Sequence, residues 1–182
     1  MTRFVSNLLD MTKLDAGALR PNIVQADLGD IAADAAAHVA RLAGERSVRI
    51  VRLGPSISAE VDPVLLEQAL VNILANAVDF SPVGGCVEIA LSKNARHGAR
   101  VEITDNGPGI PKASLTRVFE KFYRVPDQNG ERRSVGLGLS ISKSLIEAMG
   151  GAVHAESPLH EGTNPRGSRF IIEFDQKKAA TL

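Results

Sequence analysis

The chain has 182 residues, 44% of them hydrophobic, and 21 lysines and arginines balance 21 aspartates and glutamates. That length gives one domain with a real core plus a short appendage rather than two full domains. The balanced charge provides no global field toward nucleic acid or an anionic membrane surface. Every apolar run is shorter than the roughly 18 residues of a membrane helix, and no basic segment followed by a long apolar stretch opens the chain. The expectation is a soluble, cytoplasmic piece that neither inserts into a membrane nor binds nucleic acid. Cys86 has no second cysteine to pair with, and no Cys or His cluster has metal-ligand spacing.

Taken in chain order, residues 4–19 place Val5, Leu8, Leu9, Met11, Leu14 and Leu19 at mostly helical spacing, as in the tail of a longer helix. Residues 21–26 read as a linker. A second helix starts at Asp27, with Asp27 or Asp30 as its cap, and stops at Gly44. Strands follow at 48–53 and 57–61. Asp62-Pro63 opens a helix to about Phe80, because aspartate accepts free amide hydrogens and proline is tolerated in the first turn. Val87, Ile89 and Leu91 alternate as a strand, then Val101 and Ile103 as another. Residues 111–135 carry little periodic signal and read as a mobile lid. A helix over 137–149, strands at 152–157 and 168–174, and a flexible tail at 176–182 complete the pattern.

Three polar clusters fall beside loops or helix starts. Asn72 and Asn76 are four apart and share one helix face, while Leu66, Leu70, Ile73 and Ala77 face the core. An asparagine oxygen can ligate Mg²⁺, which takes one or two protein oxygens and leaves its other positions to phosphates and water. Asp105-Asn106-Gly107-Pro108-Gly109-Ile110 follows a strand; its carboxylate can accept from an exocyclic amine, and its glycines admit a close neighbour. Ser134-Val135-Gly136-Leu137-Gly138-Leu139-Ser140-Ile141 leads small residues into a helix, whose free amides favour phosphate. No Gly-Lys-Ser/Thr follows, and the Gly-x-Gly-x-x-Gly spacing is missed, so neither a Walker loop nor a dinucleotide fold is supported. Each cluster alone has a plainer reading as surface amides, a turn or a helix start.

In this order the clusters resemble the asparagine box and two glycine boxes of bacterial sensor histidine kinase catalytic domains, within the GHKL superfamily. Phe119-Glu120-Lys121-Phe122-Tyr123-Arg124 is similar to the family's phenylalanine box, and Gly162-Thr163 and Gly167-Ser168-Arg169-Phe170 to its final glycine segment. The match spans about 28–174. It implies an α+β two-layer sandwich, a mixed, mostly antiparallel sheet with helices on one face, preceded by a helical stub. ATP and Mg²⁺ are the implied cofactors. By resemblance Asn76 ligates Mg²⁺ with Asn72 supporting it, and both count as catalytic. Asp105 recognises adenine, helped by Gly107 and Gly109, while Gly136 and Gly138 wrap the phosphates. Ile110, Phe122 and Leu137 enclose the base or brace the lid, or are ordinary core residues. Phe119 reads as packing.

Residues 1–20 resemble the C-terminal end of the second dimerisation helix of such kinases, with wording similar to potassium-responsive sensors, and 27–175 the catalytic domain. The implied partners are the dimerisation and phospho-acceptor domain of the same parent kinase and, through the parent, a response regulator receiver domain. The parent is expected to be a membrane-bound sensor with this domain on the cytoplasmic side. His38, His97, His154 and His160 stand outside the family's acceptor context, so the fragment is expected not to phosphorylate itself. Two residues depart from the pattern: Asp79 stands where relatives carry lysine or arginine, and Ser134 where the second glycine box often begins with glycine. Arg132 and Arg133 are candidate compensating phosphate partners. Related ATPases carry a water-activating glutamate four residues before the metal asparagine; here that residue is Asn72, and Glu67 is poorly placed to replace it, which favours transfer over hydrolysis. A non-catalytic nucleotide- or partner-binding regulatory module is the alternative function.

Overall fold

Aspartates start both long helices. The computed structural model describes residues 20–95, 98–125, 135–159 and 166–175. Helix α1, Leu28–Glu45, is capped by Asp27, whose side chain accepts from Gly29 N at 2.7 Å and Asp30 N at 3.2 Å. Asp27, not Asp30, therefore satisfies the orphan amides of the first turn. A hydrogen bond from Ser56 holds the Asp27 carboxyl below its usual range. Helix α2, Pro63–Phe80, is capped by Asp62, which accepts from Val64 N at 3.0 Å and Leu65 N at 3.1 Å. The second Asp62 oxygen accepts from Asn22 N at 2.8 Å and anchors the incoming chain. At the other end Ser81 N and Oγ both donate to Ala77 O.

Strand β1, Val24–Asp27, pairs antiparallel with β3, Ser58–Val61, as a separate two-stranded ribbon. The five-stranded sheet runs β2-β4-β5-β7-β6, where β2 is Arg49–Leu53, β4 Cys86–Lys93, β5 Ala99–Asp105, β6 Ala152–Glu156 and β7 Ser168–Phe174. Only the β2–β4 pair is parallel. Helix α3, Gly138–Ala148, joins α1 and α2 on one face. Alternation along β5 sends Ala99, Val101, Ile103 and Asp105 into the buried layer and leaves the residues between them half-buried. The inward face meets Leu66, Leu70 and Ile73 of α2 and Leu145 and Ile146 of α3 in one core, each at most 2% exposed. Truncating such a side chain to alanine costs about 2–5 kcal/mol. The opposite face is polar, with Arg100 bonded to Glu102 and Glu173, and Arg169 set between Glu102 and Glu156. The α+β two-layer architecture expected from the sequence is the one observed.

Three expectations change. Val24–Asp27, assigned mostly to a linker, is a strand, because its backbone finds a ladder partner in the distant Ser58–Val61 (Asp27↔Ser58 to Val24↔Val61). Helix α1 runs past Gly44 to Glu45, and the left-handed residue beyond it is Ser47, φ 54°. The first part of the segment read as a lid is folded: 3-10 turns form at Lys112–Ser114 and Arg117–Phe119. There Tyr123 Oη donates to Ser114 Oγ at 2.9 Å, under the Arg117 guanidinium 4.2 Å from the ring centre. Residues 126–134, which include Arg132, Arg133 and Ser134, lie outside the described residues, as do the stub 1–19, His97, His160, Gly162, Thr163 and the tail 176–182.

Candidate functional site

Helix α2 supplies the first wall. Asn72 is 6% exposed, and among the described residues its Nδ2 has no hydrogen-bond partner. A buried amide donor left open costs about 1–3 kcal/mol, so its retention points to an acceptor that arrives from outside. Asn76, one turn on and half-buried, continues the same face. Asp79 stands three residues further and extends the stripe; its backbone oxygen accepts from Arg46 Nη2 at 2.8 Å.

Helix α3 supplies the second wall. It starts at Gly138 with no side-chain cap on its amides. Ser142 Oγ donates to Ala69 O of α2 at 3.1 Å and to Gly138 O at 3.0 Å, which holds the two helices close. A methyl group on Gly138 would meet only Asn72 Cβ, 3.9 Å away, so the uncapped amides and the unpartnered amide flank one space. An uncapped N-terminus beside a buried donor suits an anion. The preceding Gly136, φ 75°, accepts from Phe122 N at 2.9 Å, and a Cβ there would come within 2.7 Å of Tyr123 O. Gly136 is thus required by both its backbone conformation and its neighbour.

The third wall is the end of β5. Asp105 is 4% exposed and accepts from Gly107 N at 2.8 Å. Burial pushes its carboxyl up to about 6, against the pull of backbone amides from Gly107 and Ser168. A Cβ on Gly107 would meet Asp105 Oδ1 at 2.7 Å and Phe80 O at 2.8 Å, so the glycine lets this loop close onto the C-terminus of α2. Gly109 adopts φ 82°, and Ile110 N donates to Ser157 Oγ at 2.7 Å.

The sequence-predicted residues therefore meet in part. Asn72 and Gly138 face each other, Asp105 and Gly107 close on the end of α2, and Gly136 carries Phe122. Leu137, a candidate for enclosing the base, is 2% exposed and belongs to the core; its oxygen accepts from Ser140 Oγ at 2.8 Å. Its side chain packs in the manner of the second of its two readings, ordinary core, while its backbone stays at the start of α3. Phe122 is 61% exposed at φ 63° and lies outside the core. Phe119 packs edge-on against Phe170, centroids 6.2 Å apart, in line with its reading as packing. Sequence reasoning missed Ser157, which accepts from Ile110 N and donates to Gly167 O at 2.8 Å. It also missed Ser142; a serine inside an apolar helix stripe was the available signal.

These residues fit a magnesium nucleotide: a buried carboxylate for an exocyclic amine, carboxamides for a cation and phosphates, and an uncapped helix for anionic oxygens. Among the described residues no group of three or more His, Cys, Asp or Glu is placed to hold a metal. The chain matches, over residues 61–178, the family described as histidine kinase-, DNA gyrase B- and HSP90-like ATPases. It belongs to that family. Sensor histidine kinase TmoS of Ectopseudomonas mendocina is 33% identical over 152 residues, covering 82% of this chain and 16% of TmoS. Sensor protein KdpD of Mycobacterium tuberculosis is 32% identical over 161 residues, covering 85% of this chain and 18% of KdpD. The solved mycobacterial sensor histidine kinase MprB superposes with a TM-score of 0.71 at 28% identity, covering 83% of this chain and 95% of that one. The ATPase-family chain is thus an ATP-binding catalytic domain of the sensor histidine kinase kind, consistent with two-component signalling, and the non-catalytic alternative is not favoured. KdpD is no nearer than TmoS, so the potassium-responsive subfamily is not singled out.

Proposed function

We propose that this domain positions MgATP for γ-phosphoryl transfer to a histidine on the dimerisation and phospho-acceptor domain of the same parent kinase. A response regulator receiver domain is then the next acceptor. The observation that carries the reading is the buried Asn72 amide, unpartnered among the described residues and set against the uncapped start of α3. Asn72 Nδ2 donates to a phosphate oxygen, Asn76 offers its amide oxygen to Mg²⁺, and the backbone at Gly136, Leu137 and Gly138 faces the phosphates. Asp105 accepts from the adenine amine, with Gly107 and Gly109 shaping the loop and Ile110 and Phe122 at its margin. When bound, Mg²⁺ supplies neutralisation of the phosphate charge.

Transfer rather than hydrolysis is supported by the absence of a base. Asn72 occupies the place from which related ATPases activate water, and an amide cannot take a proton at neutral pH. Glu67 is engaged elsewhere, 2.8 Å from His38 Nδ1. The parent is a membrane-bound sensor holding this domain in the cytoplasm. Among the described residues no helix is long and apolar enough to cross a membrane.

The test is calorimetric titration with a non-hydrolysable ATP analogue, with and without Mg²⁺, on the chain and on Asn76→Ala. Magnesium-dependent binding that Asn76→Ala abolishes is expected, followed by label transfer when the dimerisation domain is supplied. A folded chain that binds no nucleotide refutes the proposal. So does acid-labile label on the fragment's own His38 or His154, because it places the acceptor inside this domain.

A further inference from the structure

On the face of the sheet opposite the helices, Glu88, Thr104, Arg169 and Glu156 lie in one register row across β4, β5, β7 and β6. The row floors a cavity of about 710 Å³ walled by Asn106, Leu115, Pro158 and Leu159. That volume lies in the ~300–1,000 Å³ range of small-molecule sites, and its mostly polar lining carries an apolar wall of Leu115, Ala155, Pro158 and Leu159.

The charge of the lining is one-sided. Arg169 is the one cation among its described residues, and it is already engaged. Its Nη1 lies 3.6 Å from Glu156 and 3.8 Å from Glu102, and its Nε donates to Thr104 Oγ1 at 3.4 Å. Glu88 is exposed and has no ion partner among the described residues. Adding a cation to this lining therefore neutralises open charge, whereas an anion would meet carboxylates on both sides of Arg169.

We infer that this cavity binds a small organic cation with an apolar body, an ammonium or guanidinium group at Glu88 and Thr104 with its hydrocarbon against Leu115, Pro158 and Leu159, and that its occupant tightens nucleotide binding on the other side of the sheet. The two sites share a wall one strand thick. Successive residues of a strand face opposite sides, so Thr104 and Asn106 line the cavity while Asp105 between them is buried on the nucleotide side. Ser157 lines the cavity and also holds the glycine loop: it accepts from Ile110 N and donates to Gly167 O, and Gly167 N donates to Gly107 O at 2.9 Å. An occupant packed on Asn106 and Ser157 fixes that loop before nucleotide arrives, which removes part of the ordering cost of binding. The coupling, unlike the cation site itself, rests on the nucleotide reading above.

The experiment titrates the chain with phenethylammonium chloride, followed by backbone amide chemical shifts, with phenethyl alcohol as the uncharged control. Saturable shifts are expected at Thr104, Asn106, Leu115 and Leu159, absent with the alcohol and lost in Glu88→Gln, whose exposed position leaves the fold intact. With the cavity filled, the ATP analogue is expected to bind about fivefold tighter, and by linkage the analogue tightens the ammonium ion by the same factor. No saturable shift, equal shifts with the alcohol, or shifts unchanged in Glu88→Gln overturn the site. Nucleotide affinity unchanged or weakened by a filled cavity overturns the coupling. A chain that takes up the ammonium ion but never nucleotide bears out the cation site and sinks the nucleotide reading, so the two failures are told apart.

Discussion

At the β5 end of the site the polar groups are satisfied by the protein itself, whereas at the α3 end they are left open. Asp105 accepts from the Gly107 and Ser168 amides and sits in a loop tied through Ser157. Among the described residues Asn72 has no partner for its Nδ2 and α3 has no side-chain cap, and Phe122 stands 61% exposed beside Gly136. A base is a flat, uncharged group best met by a prebuilt acceptor. A phosphate chain brings charge that completes whatever donors are left free. On the proposed function, the stable half of the site is the half that reads the base, and the half that meets phosphate stays incomplete until ligand supplies the missing acceptors.

The sharpest way to break this comparison is Asp105→Asn. The variant is expected to weaken analogue binding by more than about a hundredfold, because the amide turns a donor toward the adenine amine. Stability responds the other way. The folded carboxyl is pushed up to about 6 from 3.8, so it holds its proton more tightly than in the unfolded chain. Its contribution is fully present below the unfolded value and is lost as pH rises through the folded one, a swing of roughly 2–3 kcal/mol. Asp105→Asn should flatten that dependence between about pH 4 and 6 in urea unfolding curves, with a pH 7 midpoint no lower than the parent's. A variant that loses both stability and binding would mean that Asp105 serves the fold first.

The legibility of the two halves differs for a related reason. The Asp27 and Asp62 caps, the Asn72–Asn76 spacing and the β5 alternation are local patterns, and each signals within a few residues what the backbone does there. Ser157 gave no such signal, because its partners lie 47 and 10 residues away, at Ile110 and Gly167. Strand β1 was passed over for the same reason: four residues, Val24–Asp27, carry too little alternation to outweigh a polar linker until Ser58–Val61 is there to pair with. For Leu137 the sequence left base enclosure and ordinary core both open, because only the packing of α3 against the core decides where its side chain goes. Folded 3-10 turns inside a segment without periodicity were equally invisible.

A smaller effect is expected in the open half, at Gly136. Gly136→Ala puts a Cβ 2.7 Å from Tyr123 O in a residue at φ 75°. The backbone strain costs about 1–3 kcal/mol. It falls on the mouth of the site rather than on the core, so thermal unfolding should shift little while analogue binding weakens about tenfold. A large loss of thermal stability with intact binding would place Gly136 in the scaffold.

Asp79→Lys tests the open half from the other direction and is expected to have the mildest effect. Asp79 extends the Asn72–Asn76 stripe, and its tie to Arg46 runs through the backbone oxygen, so replacing the side chain leaves that contact in place. A carboxylate on the stripe opposes incoming phosphate, and an ammonium group there attracts it. At a half-buried position the reversal is worth several-fold to about tenfold in analogue affinity, larger at low ionic strength and shrinking as salt screens it. The gain should be greatest without Mg²⁺, because a bound cation already offsets part of the phosphate charge that Asp79 opposes. An affinity that does not move at any salt concentration would show that the phosphate chain runs along α3 alone, and the open half of the site would then lie on one wall instead of two.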